Sequence, residues 1–124
     1  MKPFCVVVCF EDASRRRFVL VRNRRRGWEL PGGWIEDGED PLEAGRREFE
    51  EETGRALGDA RRVELSPGAP WTALVTGLLG PPGRKAEGDV VVEWRLVQSL
   101  RDAPGLSFPD DPYHLIGSAL DRRL

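Results

Sequence analysis

Cysteine is scarce in this chain, and so are histidine, lysine, tyrosine and long apolar runs. The 124 residues hold two cysteines, Cys5 and Cys9, and a single histidine, His114. So few thiols and imidazoles exclude a disulfide-stapled scaffold and a zinc site built from Cys and His. Both cysteines fall in the apolar run Phe4 to Phe10. On a strand they would share a face about 13 Å apart, beyond disulfide reach, so buried free thiols are expected. With His114 alone and no nucleophile beside it, Ser-His-Asp or Cys-His catalysis has no support. No stretch approaches the ~18 apolar residues of a membrane span, and the apolar run after Met1-Lys2-Pro3 is too brief for a signal sequence. The cytoplasm is the expected location, without membrane contact. Of 19 basic residues only Lys2 and Lys85 are lysines, an arginine excess that reads as coding bias. The net charge of -2 offers no basic field for polymeric nucleic acid.

What is present is enough apolar residue, 40% of the chain, for one domain over residues 1–124 with one core. Phe4 to Phe10 reads as a buried strand, Glu11 to Arg17 as a polar turn, and Phe18 to Val21 as a strand pairing back in a hairpin. Arg22 to Arg26 form a basic loop ending at Gly27, and Trp28-Glu29-Leu30 a short strand. Further on, strands are expected at Arg61 to Leu65, Trp71 to Leu79 and Val90 to Val97. A turn at Ser66 to Pro70 and a loop from Gly80 to Asp89 separate them. A final helix is expected from Tyr113 to Arg122.

Between the first and second groups of strands lies the densest patterning. Asp40 suits a helix N-cap, Pro41 the first helical position, and Glu43 would complete a capping box. Gly54 suits the left-handed residue after the helix. Leu42, Gly45 and Phe49 recur at helical spacing and would face the core, which leaves Glu48, Glu51 and Glu52 converging on one flank. Pairs such as Glu43 with Arg47, Arg46 with Glu50 and Arg47 with Glu51 belong to an ordinary solvated face. Glu48 and Glu52 do not. They repel each other at i,i+4, and Glu52 lies near the helix C-terminus, where the macrodipole disfavours negative charge by about 0.3 to 1 kcal/mol. A hard divalent cation would turn that repulsion into ligation.

From Gly33 to Arg55 the chain resembles the Nudix box. Gly33, Glu39, Arg47, Glu48, Phe49, Glu51, Glu52 and Gly54 stand in register with it, preceded by the family-typical run Leu30-Pro31-Gly32-Gly33. Arg55 departs from the pattern, standing where an aliphatic residue is usual. The resemblance implies an α/β/α sandwich with a mixed sheet, Mg2+ or Mn2+ as cofactor, and hydrolysis of a nucleoside diphosphate linked to another group by direct attack of water. It assigns Gly33, Glu48, Glu51, Glu52 and Glu87 to the metal. Arg47, Glu51, Glu52 and Glu87 fall to catalysis, and Arg22, Trp34 and Asp110 to substrate.

Outside the box the assignments compete. Glu87-Gly88 resembles a loop of MutT-like members that brings a further glutamate to the metals, with Asp89 and Glu93 as rivals. Arg22 resembles the phosphate-contacting arginine of that branch. Asp110 or Asp111 is a candidate base reader, although Asp111 also suits a helix cap before Pro112. The short chain leans toward (deoxy)nucleoside triphosphates such as 8-oxo-dGTP, with ADP-ribose or dinucleoside polyphosphates as alternatives. A nucleotide-binding module without catalysis is the non-enzymatic alternative, disfavoured because the box carboxylates are intact. The partner expected is a nucleotide, and the protein is expected to be a monomer or homodimer.

Overall fold

The computed structural model describes residues 3–65, 73–107 and 113–124. Among them a mixed sheet of seven strands forms, and β1 (Phe4–Phe10) lies at its middle. β1 runs parallel to β6 (Ala73–Pro82) through six pairs from Cys5↔Ala73 to Phe10↔Leu78. On its other side the N-terminal half of β1 pairs antiparallel with β4 (Gly32–Trp34). β2 (Phe18–Asn23) lies between β3 (Gly27–Glu29) and β7 (Val91–Val97), and β5 (Arg55–Val63) flanks β6.

Because side chains alternate along a strand, β1 divides the interior in two. Val6, Val8 and Phe10 join Phe18, Leu20 and Leu74 in a core closed by Ile116 and Leu120 from the C-terminal segment. Val7 and Cys9 point the other way, into a second core with Val19, Val21, Val75 and Phe49 of α1 (Pro41–Thr53). Ile116 belongs to α2 (Tyr113–Ala119), so one helix covers each face and the architecture is the expected α/β/α sandwich. Cys5 and Cys9 are buried free thiols, and burial pushes them up to about 11 and about 12.

Several expectations are corrected. The β1–β2 hairpin is pinned by one residue pair, Phe10↔Phe18, because β4 and β6 occupy β1 while β7 takes six positions of β2. Arg22 lies on β2 rather than in a loop. β5 begins at Arg55, directly after the helix, and not at Arg61. Its first residue departs from the family pattern with a purpose: Arg55 Nε donates to the Gly80 carbonyl at 2.8 Å, and its guanidinium lies over Trp94. β6 continues through Pro82, a tolerable place for proline at the end of a strand. α2 stops at Ala119, short of Arg122. The turn at 66–70, the start of the strand at Trp71 and the segment Phe108 to Pro112, with Asp110 and Asp111, lie outside the described residues.

Candidate active site

α1 starts where its sequence marks it. Pro41 needs no donor, Asp40 accepts from the Leu42 N–H at 3.4 Å, and Gly54 ends the helix at φ 73°. Glu43 forms neither the capping-box bond nor a pair with Arg47, and Arg46 does not pair with Glu50. The reason lies in Arg47. Its guanidinium turns back to grip Glu39 at 2.8 and 3.0 Å, donates to the Trp34 carbonyl at 3.1 Å, and reaches Glu48 at 3.1 Å and Glu51 at 3.3 Å. One side chain thus ties the loop before the helix to the helix carboxylates. Hydrogen bonding to Arg47 holds Glu39 down to about 2, and the same contact raises Arg47.

Glu48 and Glu52 are held against the glycine-rich strand β4. The Gly32 N–H donates to Glu52 Oε1 at 2.9 Å, and a Cβ on Gly33 would overlap the Glu48 carboxylate. Gly33 thereby leaves room for the Glu48 carboxylate, which a side chain there would displace. Glu52 is only 8% exposed. Burial raises both carboxyls, Glu48 to about 7, with Glu51 and Asp89 adding repulsion at Glu48 and Glu48 and Asp89 doing so at Glu52. No basic side chain pairs with Glu52 among the described residues.

Two concavities lie along α1. A cavity of about 440 Å³ is walled by Gly32, Gly33, Glu48, Glu52, Asp89, Asn23, Glu29, Tyr113, Phe4 and Trp34. Phe4 and Trp34 meet edge to face at 5.2 Å, and Trp34 stands half exposed at the rim. An open cleft of about 680 Å³ lies on the other side of Arg47, walled by Glu51 and Glu87 among others.

The structure places Gly33, Trp34, Glu48 and Glu52 on the wall of the cavity, and Arg47 and Glu51 on the wall of the cleft. Glu87 is exposed in the cleft, away from Glu48 and Glu52. Arg22 and Glu93 face each other across β2 and β7, Arg22 Nε donating to Glu93 at 2.5 Å, and neither lines the cavity. Asp89, a rival for the role of Glu87, does line it, although its side chain also accepts from the Val91 N–H at 2.8 Å.

Sequence reasoning missed Asn23 and Glu29, both buried polar residues at the cavity wall. Glu29 is gripped by Arg26 at 3.0 Å through both oxygens, while burial raises its carboxyl. Strand alternation carried a signal for Glu29, a charged residue between Trp28 and Leu30. Asn23 was hidden by reading Arg22 to Arg26 as a loop, since on β2 it continues the alternation of buried Val19 and Val21.

Residues 1–112 match the family model of the NUDIX domain. The chain belongs to the Nudix family. Among curated relatives, it is 41% identical over 56 residues to the CMP-5'-(N-acetyl-N-hydroxy-3-aminopropyl)phosphonate hydrolase of Streptomyces rubellomurinus, covering 42% of this chain and 27% of that protein. The matched stretches take in between 23% and 29% of the curated relatives' own length. Among solved structures, a mutant form of the Bacillus subtilis pyrophosphohydrolase BsRppH superposes with a TM-score of 0.71 at 19% identity, covering 97% of this chain and 81% of that one. A MutT structure from work on Aliivibrio salmonicida and Vibrio cholerae superposes at 0.68 with 17% identity, covering 98% and 97%. At such identities these likenesses show the shared fold.

Nudix hydrolases use divalent metal ions, and the donor types here fit one. Glu48 and Glu52 offer buried carboxylates beside Asp89, and the glycine cradle at Gly33 keeps the Glu48 oxygens close to main chain. As they stand, no three acidic, Cys or His side chains among the described residues converge as a metal-holding group. Glu48 and Glu51 are turned to Arg47, and Glu52 to Gly32.

Proposed function

We propose that this single domain is a metal-dependent pyrophosphohydrolase that cleaves a phosphoanhydride in a nucleoside diphosphate linked to another group. The observation that carries it is the Arg47 clamp, which presents Glu48 and Glu51 beside buried Glu52 at the edge of an aromatic-rimmed cavity. Gly33, Glu48, Glu51 and Glu52 would hold Mg2+ or Mn2+. When bound, the ion neutralises phosphate charge and makes water a better nucleophile. Arg47 keeps Glu48 and Glu51 beside each other, and holding an ion would require their oxygens to turn from the guanidinium. Trp34 and Phe4 offer the nucleobase a stacking surface, and Asn23 and Glu29 offer polar groups at the inner wall.

Nucleoside triphosphates, with 8-oxo-dGTP among them, are the favoured substrates. The resemblance of the Arg26-to-Gly33 entry and of the Glu87-Gly88 loop to MutT-like members supports this. Arg22 would serve a phosphate after exchanging its Glu93 partner, and Glu87 would act as metal ligand or base from the cleft wall. Glu87→Gln is expected to lower kcat about a hundredfold, with Glu93→Gln as control; the reverse pattern moves the assignment to Glu93.

The deciding experiment is a panel of 8-oxo-dGTP, the common dNTPs, ADP-ribose and diadenosine tetraphosphate, assayed with Mg2+ and with EDTA. Metal-dependent release of phosphate or pyrophosphate is expected. Ligand binding without turnover would replace the enzyme by a binding module.

A further inference from the structure

We propose that the outer edge of β7 is a self-recognition surface, on which a second copy of this chain pairs antiparallel about Trp94 to form a two-fold symmetric dimer. A free strand edge invites another chain to add to the sheet, so proteins generally cover, shorten or distort their edges. Most edges of this sheet are treated in that way. The outer side of β3 is taken up by a later segment, the Trp28 N–H donating to the Gly105 carbonyl at 3.0 Å and the Ser107 N–H to the Trp28 carbonyl at 2.8 Å. β5 is interrupted between Arg55 and Leu57 and again between Gly58 and Arg61, where Asp59 takes φ 46°. β4 is three residues long. β7 has neither cover nor interruption from Glu93 to Val97. Among the described residues it pairs with β2 alone, and its one irregularity lies at its start, opposite Arg22 and Asn23.

The pairing inside the sheet decides which groups face out. The Glu11 N–H donates to the Arg17 carbonyl at 2.9 Å, so the odd positions of β2 turn their main chain toward β1 and the even ones toward β7. Opposite those even positions stand Glu93, Arg95 and Val97, which therefore bond inward. Trp94 and Leu96 turn their N–H and carbonyl groups to the free edge. The side chains that do reach this strand's main chain act at its two ends. Lys85 Nζ holds the Val91 carbonyl at 2.9 Å, and Arg122 holds the Gln98 carbonyl just past the strand at 3.2 Å.

Read outward from Trp94 in both directions, the strand is complementary to itself. Antiparallel pairing centred there sets Trp94 against the partner's Trp94, Glu93 against the partner's Arg95 and Val92 against the partner's Leu96. The Trp94 pair would exchange two main-chain hydrogen bonds. Its neighbours fall at the non-bonded positions, where side chains come closest, so the Glu93 to Arg95 contact is made there twice. Both charged side chains are within reach of a partner: Glu93 is exposed beside Arg22, and Arg95 is exposed over the Trp28 ring at 4.6 Å. Val92 stands 41% exposed, a large apolar side chain that the partner's Leu96 would cover. A slip of two residues keeps the outward groups paired, yet it sets Arg95 against the partner's Arg95 or Glu93 against the partner's Glu93. Charge therefore selects one register.

The test is sedimentation velocity of the full chain over a concentration series reaching the high micromolar range, for the parent, R95E, E93R and an equimolar mixture of the two variants. The parent is expected to pass reversibly from monomer to dimer. R95E and E93R each set like charges against each other twice, and each should raise the dimer Kd about tenfold or more. Their mixture should return to near the parental Kd, because one chain then carries negative charge at both positions and the other positive charge. Val92→Lys changes an exposed side chain and should also weaken the dimer, with Tm unchanged; it decides the matter if the charge variants fold poorly. A parent that stays monomeric throughout, a dimer unmoved by these variants, or a mixture no tighter than its components would overturn the assignment.

Discussion

Glu52 keeps a carboxylate where solvent scarcely reaches it, beside Glu48 on its own helix and with only the Gly32 N–H in direct support. A group so placed costs stability in its charged form, and a ligating role would offset that cost. Glu52→Gln keeps an oxygen for Gly32 while removing the charge. We expect kcat to fall about a hundredfold or more, with the metal-free thermal midpoint unchanged or a few degrees higher; a midpoint several degrees lower would mean that the carboxylate is structural. Glu39 is the opposite case. Its carboxyl titrates at about 2, below its ordinary 4.5, because it is bound to Arg47. A depressed pKa means that this contribution is complete above pH ~4.5 and is lost as pH falls toward ~2. Glu39→Gln should therefore cost about 1 to 2 kcal/mol near neutrality and flatten the acid limb of the denaturation curve between pH 4.5 and 2. An acid limb identical to that of the parent would show that the contact has no net worth.

At the scale of elements, α1 and the segment after β6 behave as one unit, because the N–H groups of Gly83 and Ala86 satisfy carbonyls at the helix C-terminus. Ala86→Pro removes one of those donors without touching a carboxylate. The expected result is a large loss of kcat, about tenfold or more, with a Tm shift of only a few degrees; full activity would mean that the segment's docking does not matter for turnover. The caps of α1 were legible in the sequence because Asp40, Pro41 and Gly54 act on their immediate neighbours. Helical spacing also set Glu48 and Glu52 on one wall, but Glu51, expected to converge with them, lines the cleft instead. The Arg47 clamp was not legible, since its strongest partner is Glu39, eight positions away across a loop and off the helical repeat. Local pairing rules favoured Glu43 instead. Element edges went wrong where long-range pairing outweighed local composition, as at Arg55, which reads polar yet opens β5 by reaching Gly80 and Trp94.

For the whole molecule, β1 and β6 contribute side chains to both cores, through Val6, Val8 and Leu74 on one face and Val7, Cys9 and Val75 on the other. Neither face can be lost alone. Thermal unfolding is expected to give coincident transitions by tryptophan fluorescence and far-ultraviolet circular dichroism; separated midpoints would show that the two layers melt independently. The α/β/α layering was implied by the Nudix resemblance, with which the order of strands and helices agreed, but the strand neighbours were not legible. Adjacent strands in sequence suggested a hairpin, and only the assembled sheet shows β1 beside β6 and β2 beside β7. That wiring bears on how the chain is made. As it emerges from the ribosome, the first half of the chain contains β1 and β2 without the partners that cover most of their edges. The apolar strand Phe4–Phe10 must wait until β6 has been synthesised before its parallel neighbour exists. During that interval it is a natural binding segment for chaperones, and slowing translation beyond α1 should lengthen their hold on the nascent chain.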